Sequence, residues 1–271
     1  MSLIITATDF STTAGHALRY AAALATKHKA QLMVLHSYTI PVAISETPMP
    51  VMSVEECREV AEKGIAKVVD ELTVSFPDVA INGVTMLGDI TEVLTDYANE
   101  KNPWMIVLGN SLHDEDSVWF SGNLIDIMRE LHHPVLAVPT GCDYKEVAKL
   151  CFACDYKKDT TTLPLGMITA IAHQTGAALH VLNVDHNSEH FNTDTPEVNE
   201  VLHAALAVAK PEYHYAEGED IDAAIQDFVD NNDIDWLIVA PHKHSFFERI
   251  FHKSHTKALA KSINIPLLAL H

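Results

Sequence analysis

The stretch from Trp104 to Pro139, together with its echo from Trp236 to His271, restricts the architecture of this chain more than any other feature. Each copy reads as an apolar run, a loop, a helix-period segment and a second apolar run. Runs that are apolar at successive positions suit strands buried on both faces, as in a parallel sheet sandwiched between helices. Parallel neighbours cannot be joined by a tight hairpin and need a crossover, usually a helix, so the pattern commits the chain to an α/β fold.

The same plan extends backwards from both stretches. Strands are predicted at Leu3–Thr8, Gln31–Ser37, Ala80–Leu87, Met105–Leu108 and Val135–Val138. Helices are predicted from Ser11 or Thr12, from Ser53 to about Ser75, from Ile90 to Asn99 and from Gly122 to Leu131. Ser53 and Glu56 have capping-box spacing. Thr39–Met52 carries prolines and no periodicity and reads as a loop. In the second half, strands are expected at Leu150–Cys154, Ala177–Val184 and Glu212–Glu217. One helix there is expected from Thr161 or Thr162, carrying Leu165, Ile168, Ile171 and Ala172, and another opens at Thr195-Pro196-Glu197. Gly218 parallels Gly88, Trp236 parallels Trp104 and Pro266 parallels Pro134. The second copy is shorter in its middle.

At 271 residues the chain suits two domains of about 130–140 residues. They are drawn at 1–142 and 147–271, with Asp143–Val147 as the linker. A 48% hydrophobic fraction supplies sizeable cores, and a net charge of −19 argues against nucleic acid as a partner. No apolar stretch reaches the length of a bilayer span, and the N-terminus lacks the pattern of a signal peptide, so no membrane partner and a cytoplasmic location are expected. Cys151 and Cys154 have redox-motif spacing but fall within a strand on opposite faces, which makes them structural. In parallel sheets of this kind ligands sit beyond the carboxyl ends of the strands, where Asp9, Ser37, Gly88 and Gly109 lie.

Those residues carry a resemblance. The strand ending Thr8-Asp9-Phe10-Ser11, the alanine-rich first helix, the second strand ending Leu35-His36-Ser37 and a last loop of G-x2-G-x9-G-[ST] outline resemble the universal stress protein family, in tandem over essentially the whole chain. The resemblance implies two flavodoxin-like, adenine nucleotide alpha hydrolase-like three-layer domains, each with a parallel five-stranded sheet of order 3-2-1-4-5. It also implies that the halves pair as an intrachain pseudo-dimer through strand five; a further homodimer stays open.

For function, the resemblance implies an adenine-nucleotide (ATP) site in the first half. Thr8, Asp9 and Ser37 would meet base and ribose, Gly88 closes the third strand, and Gly109, Leu112, Gly122 and Asn123 would hold ribose and phosphates. Leu112 stands where the family has glycine, and Asp114, Glu115 and Asp116 add negative charge, so Mg²⁺ would be needed beside a triphosphate. The matching second-half positions are Asp155, Val184, His242, Lys243, Lys253 and Ser254, which lack the glycines and read as a degenerate site. A stress-response regulatory or ligand-sensing role follows, with at most weak ATPase activity and no catalytic residues assigned. The alternative is a scaffold that binds no nucleotide and acts through protein partners or another small ligand.

Three other signals stand apart. Lys243, Arg249, Lys253, Lys257 and Lys261 form a basic run that fits a solvated face, an anion site or a partner for the acidic loop. His242, His244, His252 and His255, among 17 histidines, lack helical metal spacing and a completing ligand, so no metal is expected. His132 and His133 suit a helix C-terminus.

Overall fold

A computed structural model describes residues 2–43, 49–50, 52–110, 120–154, 163–185, 200–217, 221–240 and 264–271. The chain divides into two compact units, Met1–His133 with Thr140–Tyr144, and Pro134–Pro139 with Lys145–His271.

The first unit is built on four parallel strands, β1 (Leu3–Ala7), β2 (Gln31–Tyr38), β5 (Ile81–Leu87) and β6 (Met105–Asn110), in the order β5-β2-β1-β6. A two-stranded hairpin of β3 (Val42–Ala43) and β4 (Met49–Pro50) interrupts the expected loop after β2. Helix α1 (Thr12–His28) packs on β1, β2 and β6, and α2 (Val54–Ser75) packs on β2 and β5. Right-handed crossovers put α3 (Ile90–Lys101) and α4 (Phe120–Glu130) on the opposite face. The apolar stripe of α1 becomes core: Ala14, Ala17, Leu18, Ala21, Ala22, Leu24 and Ala25 are all buried.

Local chemistry sets the helix ends. Ser11 caps α1 by accepting from Ala14 N, and Lys29 closes it in the left-handed region, giving its N–H to Ala25 O and Thr26 O. The capping box at α2 is complete, with Ser53 Oγ accepting from Glu56 N and Glu56 accepting from Ser53 N. Ser53→Ala removes one half of this box at an exposed helix start. It is expected to lower unfolding free energy by about 1 kcal/mol in urea titration, with an unchanged denaturant slope.

The second unit repeats the plan. Strands β8 (Lys149–Cys154), β9 (Ala178–Asp185), β10 (Glu212–Glu217), β11 (Trp236–Val239) and β12 (Leu267–Ala269) take the order β10-β9-β8-β11-β12, which is 3-2-1-4-5 in repeat numbering. These five are parallel. β7 (Val135–Pro139) comes from the first repeat but belongs to this unit, where it runs antiparallel to β12 with Ala137 opposite Leu267. Among the described residues, Trp236 and Phe152 are the largest side chains with no exposure. The helices described here are α5 (Leu165–Thr175), α6 (Glu200–Leu206) and α7 (Ile221–Asn231).

Several sequence-based boundaries move. Helix α5 begins at Leu165 after Pro164, rather than at Thr161 or Thr162, and Pro164 makes no side-chain cap. The buried stripe is nonetheless Leu165, Ile168, Ile171 and Ala172, as the periodicity indicates. β6 runs through Gly109 to Asn110 instead of ending at Leu108, and Gly122 and Asn123 lie inside α4 rather than opening it. All four cysteines are free; Cys151 and Cys154 are buried in β8, and burial pushes the Cys151 thiol pKa up. The expected helix start at Thr195 and the glycine at 218 lie outside the described residues. Among the described residues no helix is long and apolar enough to cross a membrane.

Candidate functional site

Thr8, Asp9, Ser37, Gly88 and Gly109 stand at or just past the carboxyl ends of four adjacent parallel strands of the first unit. Thr8 is buried; its N–H donates to Leu35 O at 2.9 Å and its Oγ1 accepts from Phe10 N at 3.0 Å. Asp9 Oδ1 accepts from Ser11 N at 2.9 Å, an Asx turn that leads straight into the α1 cap. Between them Phe10 adopts φ 65°, a costly conformation for an aromatic residue. Its ring is 44% exposed and rests on His36, with centroids 4.2 Å apart.

His36 is the residue that the sequence reading did not single out. Its Nδ1 lies 2.7 Å from Thr8 O, and because a carbonyl only accepts, Nδ1 carries the proton. Burial holds the imidazole pKa below its ordinary value, opposed by the Thr8 bond and by Asp9. The neutral ring is therefore favoured in the folded state. Its stabilising contribution is complete above the unfolded value near 6.5 and is lost as pH falls through 6.5 toward the lower folded value. Thermal unfolding midpoints should fall on acidification from about pH 7.5 to about 5.5, and His36→Asn should flatten part of that slope while still donating to Thr8 O.

The two glycines at the strand ends have structural causes. A Cβ on Gly109 would meet Thr13 O and Thr13 Cγ2 at 3.0 Å each, so the glycine lets the first turn of α1 approach β6. Gly88 has φ +144°, where a side chain is strained, and its N–H donates to Tyr38 O at 3.0 Å. Ser37 is fully buried, and its hydroxyl has no hydrogen-bond partner among the described residues. Alternate residues of β2 face opposite sides, so Ser37 lies on the face away from His36 and Phe10.

A groove of about 420 Å³ runs between α1 and α2. Thr8, Phe10 and Ser11 line one end, and Arg19, Lys67 and Glu71 line the walls, with Lys67 Nζ 3.9 Å from Glu71 Oε1. Thr8 is the sequence-predicted residue that it shares with the strand-end set. Gly64 of α2 makes the groove's floor fit: a Cβ there would come within 2.6 Å of Phe10 Cζ. A glycine inside a 22-residue helix was the available signal for that contact.

In the second unit, Val184 is the penultimate residue of β9 and pairs in register with Ala216. Leu112, Asp114–Asp116, Asp155, His242, Lys243, Lys253 and Ser254 lie outside the described residues, as do the basic run and the His242–His255 set. His133 turns toward α3, where its Nε2 lies 3.3 Å from Asn99 Oδ1; burial and the neighbouring His132 lower its pKa, which disfavours a charge there.

The family model described as "Universal stress protein family" matches residues 1–139 and again 148–271. The chain is similar to a crystal structure of a universal stress protein from Archaeoglobus fulgidus DSM 4304, with 14% identity and a TM-score of 0.70 over 99% of this chain and 97% of that one. It is also similar to a functionally unknown protein from Pseudomonas aeruginosa PAO1, at 14% identity and a TM-score of 0.59 over 100% of this chain and 92% of that one. No curated protein matches the chain.

Proposed function

The chain belongs to the universal stress protein family in both of its halves, and from that premise we propose that it is a stress-response ligand sensor whose first domain holds an adenine nucleotide. The domains are drawn at 1–142 and 147–271, with the second site degenerate. The observation that carries this reading is the gathering of Thr8, Asp9, Ser37, Gly88 and Gly109 at the ends of four adjacent parallel strands.

Asp9 takes the base and ribose end in this reading, held in place by its Asx turn. Gly122 and Asn123 offer the first turn of α4, whose N-terminal N–H groups favour an anion. Leu112 and the acidic residues Asp114, Glu115 and Asp116 oppose a triphosphate, so Mg²⁺ accompanies ATP, or a nucleotide with fewer phosphates is preferred. The reading assigns no turnover chemistry. Four free cysteines agree with a reducing, cytoplasmic setting.

Native mass spectrometry of freshly purified protein tests the proposal without choosing a ligand in advance. A mass increment matching an adenine nucleotide, removed by mild denaturation, is the expected result. A bare chain that also takes up no added ATP, ADP or AMP would instead support a scaffold acting through other partners.

A further inference from the structure

The second unit brings together three side chains that neither the family resemblance nor the nucleotide reading uses. Glu212 and His214 are two residues apart on β10 and therefore project from one face of it. Glu212 is the register partner of His180 on the neighbouring parallel strand β9. The backbone alone thus delivers the three residues to one small area, on a strand that ends the sheet of this unit. His180 Nδ1 lies 2.9 Å from His214 Nε2 and 3.7 Å from Glu212 Oε2, and His214 Nε2 lies 4.0 Å from the same oxygen.

We propose that His180, Glu212 and His214 form a binding site for a divalent transition-metal ion, with Zn²⁺ the best chemical fit. Tetrahedral Zn²⁺ with bonds of about 2.0–2.1 Å sets its ligand atoms about 3.3–3.4 Å apart. The three observed separations straddle that value, so adjustments within an ångström complete the geometry. Two imidazoles and a carboxylate are a donor set suited to Zn²⁺, and three protein ligands leave a fourth position for water or an external ligand.

The surroundings favour the same occupant. His180 is 6% exposed, and its Nδ1 points into the cluster. Two imidazole nitrogens at 2.9 Å need either a proton or an ion between them. Burial lowers the pKa of both rings, while Glu212 opposes this; His214 and Lys149 add to the lowering at His180. Phe228 of α7 lies against both, with centroids 4.8 Å from His214 and 6.5 Å from His180, and screens the nitrogens on that side. Glu212 remains largely exposed, leaving an entry path.

Sequence spacing alone did not reveal this set, because His180 reaches the others only through the pairing of β9 with β10. The test uses the full chain stripped with a chelator and titrated with Zn²⁺ alone by calorimetry. One tightest site per chain is expected. The Glu212→Gln/His214→Gln double variant, altered on the exposed side of the cluster, should weaken it at least a hundredfold with its metal-free melting curve retained. His242→Gln/His244→Gln should leave that site unchanged. Equal Zn²⁺ affinity in wild type and the Glu212/His214 variant, or no saturable Zn²⁺ binding, would overturn the assignment. Should the double variant fail to fold, anomalous scattering at the zinc edge from wild-type crystals decides. A peak within bonding distance of the three ligand atoms supports the site, and peaks confined to other histidines overturn it.

Discussion

Asp235→Ala is expected to destabilise the second unit by about 3–4 kcal/mol. The carboxylate is 6% exposed and fastens the start of β8. Asp235 Oδ2 accepts from Ala148 N at 2.7 Å and Lys149 N at 2.9 Å, and Oδ1 pairs with Lys145 Nζ at 2.8 Å. Alanine leaves two N–H groups without their acceptor in a part-buried setting, and each lost bond to a charged group is worth about 1.5–3 kcal/mol. The ion pair matters far less, because the Lys145 side chain is 67% exposed. Asp235→Asn keeps a neutral acceptor for both N–H groups but loses the charge on those bonds as well as the pair with Lys145, so its cost should be about 1–2 kcal/mol, well short of the alanine variant. Urea unfolding of the two variants separates these contributions; equal losses would show that the ion pair, not the backbone clamp, is what holds.

Gly109 is the second position where a small change should be felt strongly. Gly109→Ala is expected to cost about 1–3 kcal/mol and Gly109→Val about 3 kcal/mol or more. The added Cβ would sit 3.0 Å from the Thr13 carbonyl oxygen, and backbone in the first turn of a packed helix cannot swing aside as a side-chain end can. Relief requires α1 to lift from β6, disturbing the Ser11 cap and the Asp9 turn that precede it. Both variants should therefore unfold at lower denaturant before any ligand is added. If Gly109→Ala were neutral in stability yet abolished nucleotide uptake, the glycine would belong to a phosphate cradle instead.

That contrast shows how far the sequence could be read. The strands were legible because Ile4–Ile5, Ile106–Leu108 and Leu237–Val239 are apolar at successive positions, and both faces of each are indeed covered. The α2 start was legible because a capping box is a local arrangement. The doubled plan followed from the repeated spacing of such elements. Gly109 was visible as a glycine, but its reason was not, since Thr13 approaches it only after α1 crosses back over the sheet. Phe10 gave no signal for a left-handed backbone, and His36 looked like an ordinary strand residue until Thr8 O and the Phe10 ring closed around it. Asp235 and the His180–Glu212–His214 cluster depend on partners brought together by strand register. Pattern along the chain carries none of that information. The same limit explains why α5 starts at Leu165: Thr161 and Thr162 were good caps by type, but Pro164 precedes the helix that forms.

The central claim is that one domain, the first, senses an adenine nucleotide. Calorimetric titration of the full chain with ATP and Mg²⁺, repeated on Asp9→Ala and Asp155→Ala, tests it most directly. The expected result is one saturable site per chain, weakened at least about tenfold (about 1.4 kcal/mol) by Asp9→Ala and indifferent to Asp155→Ala. No binding up to millimolar ATP, ADP or AMP, or a site lost with Asp155 and kept without the Asp9 carboxylate, would contradict it.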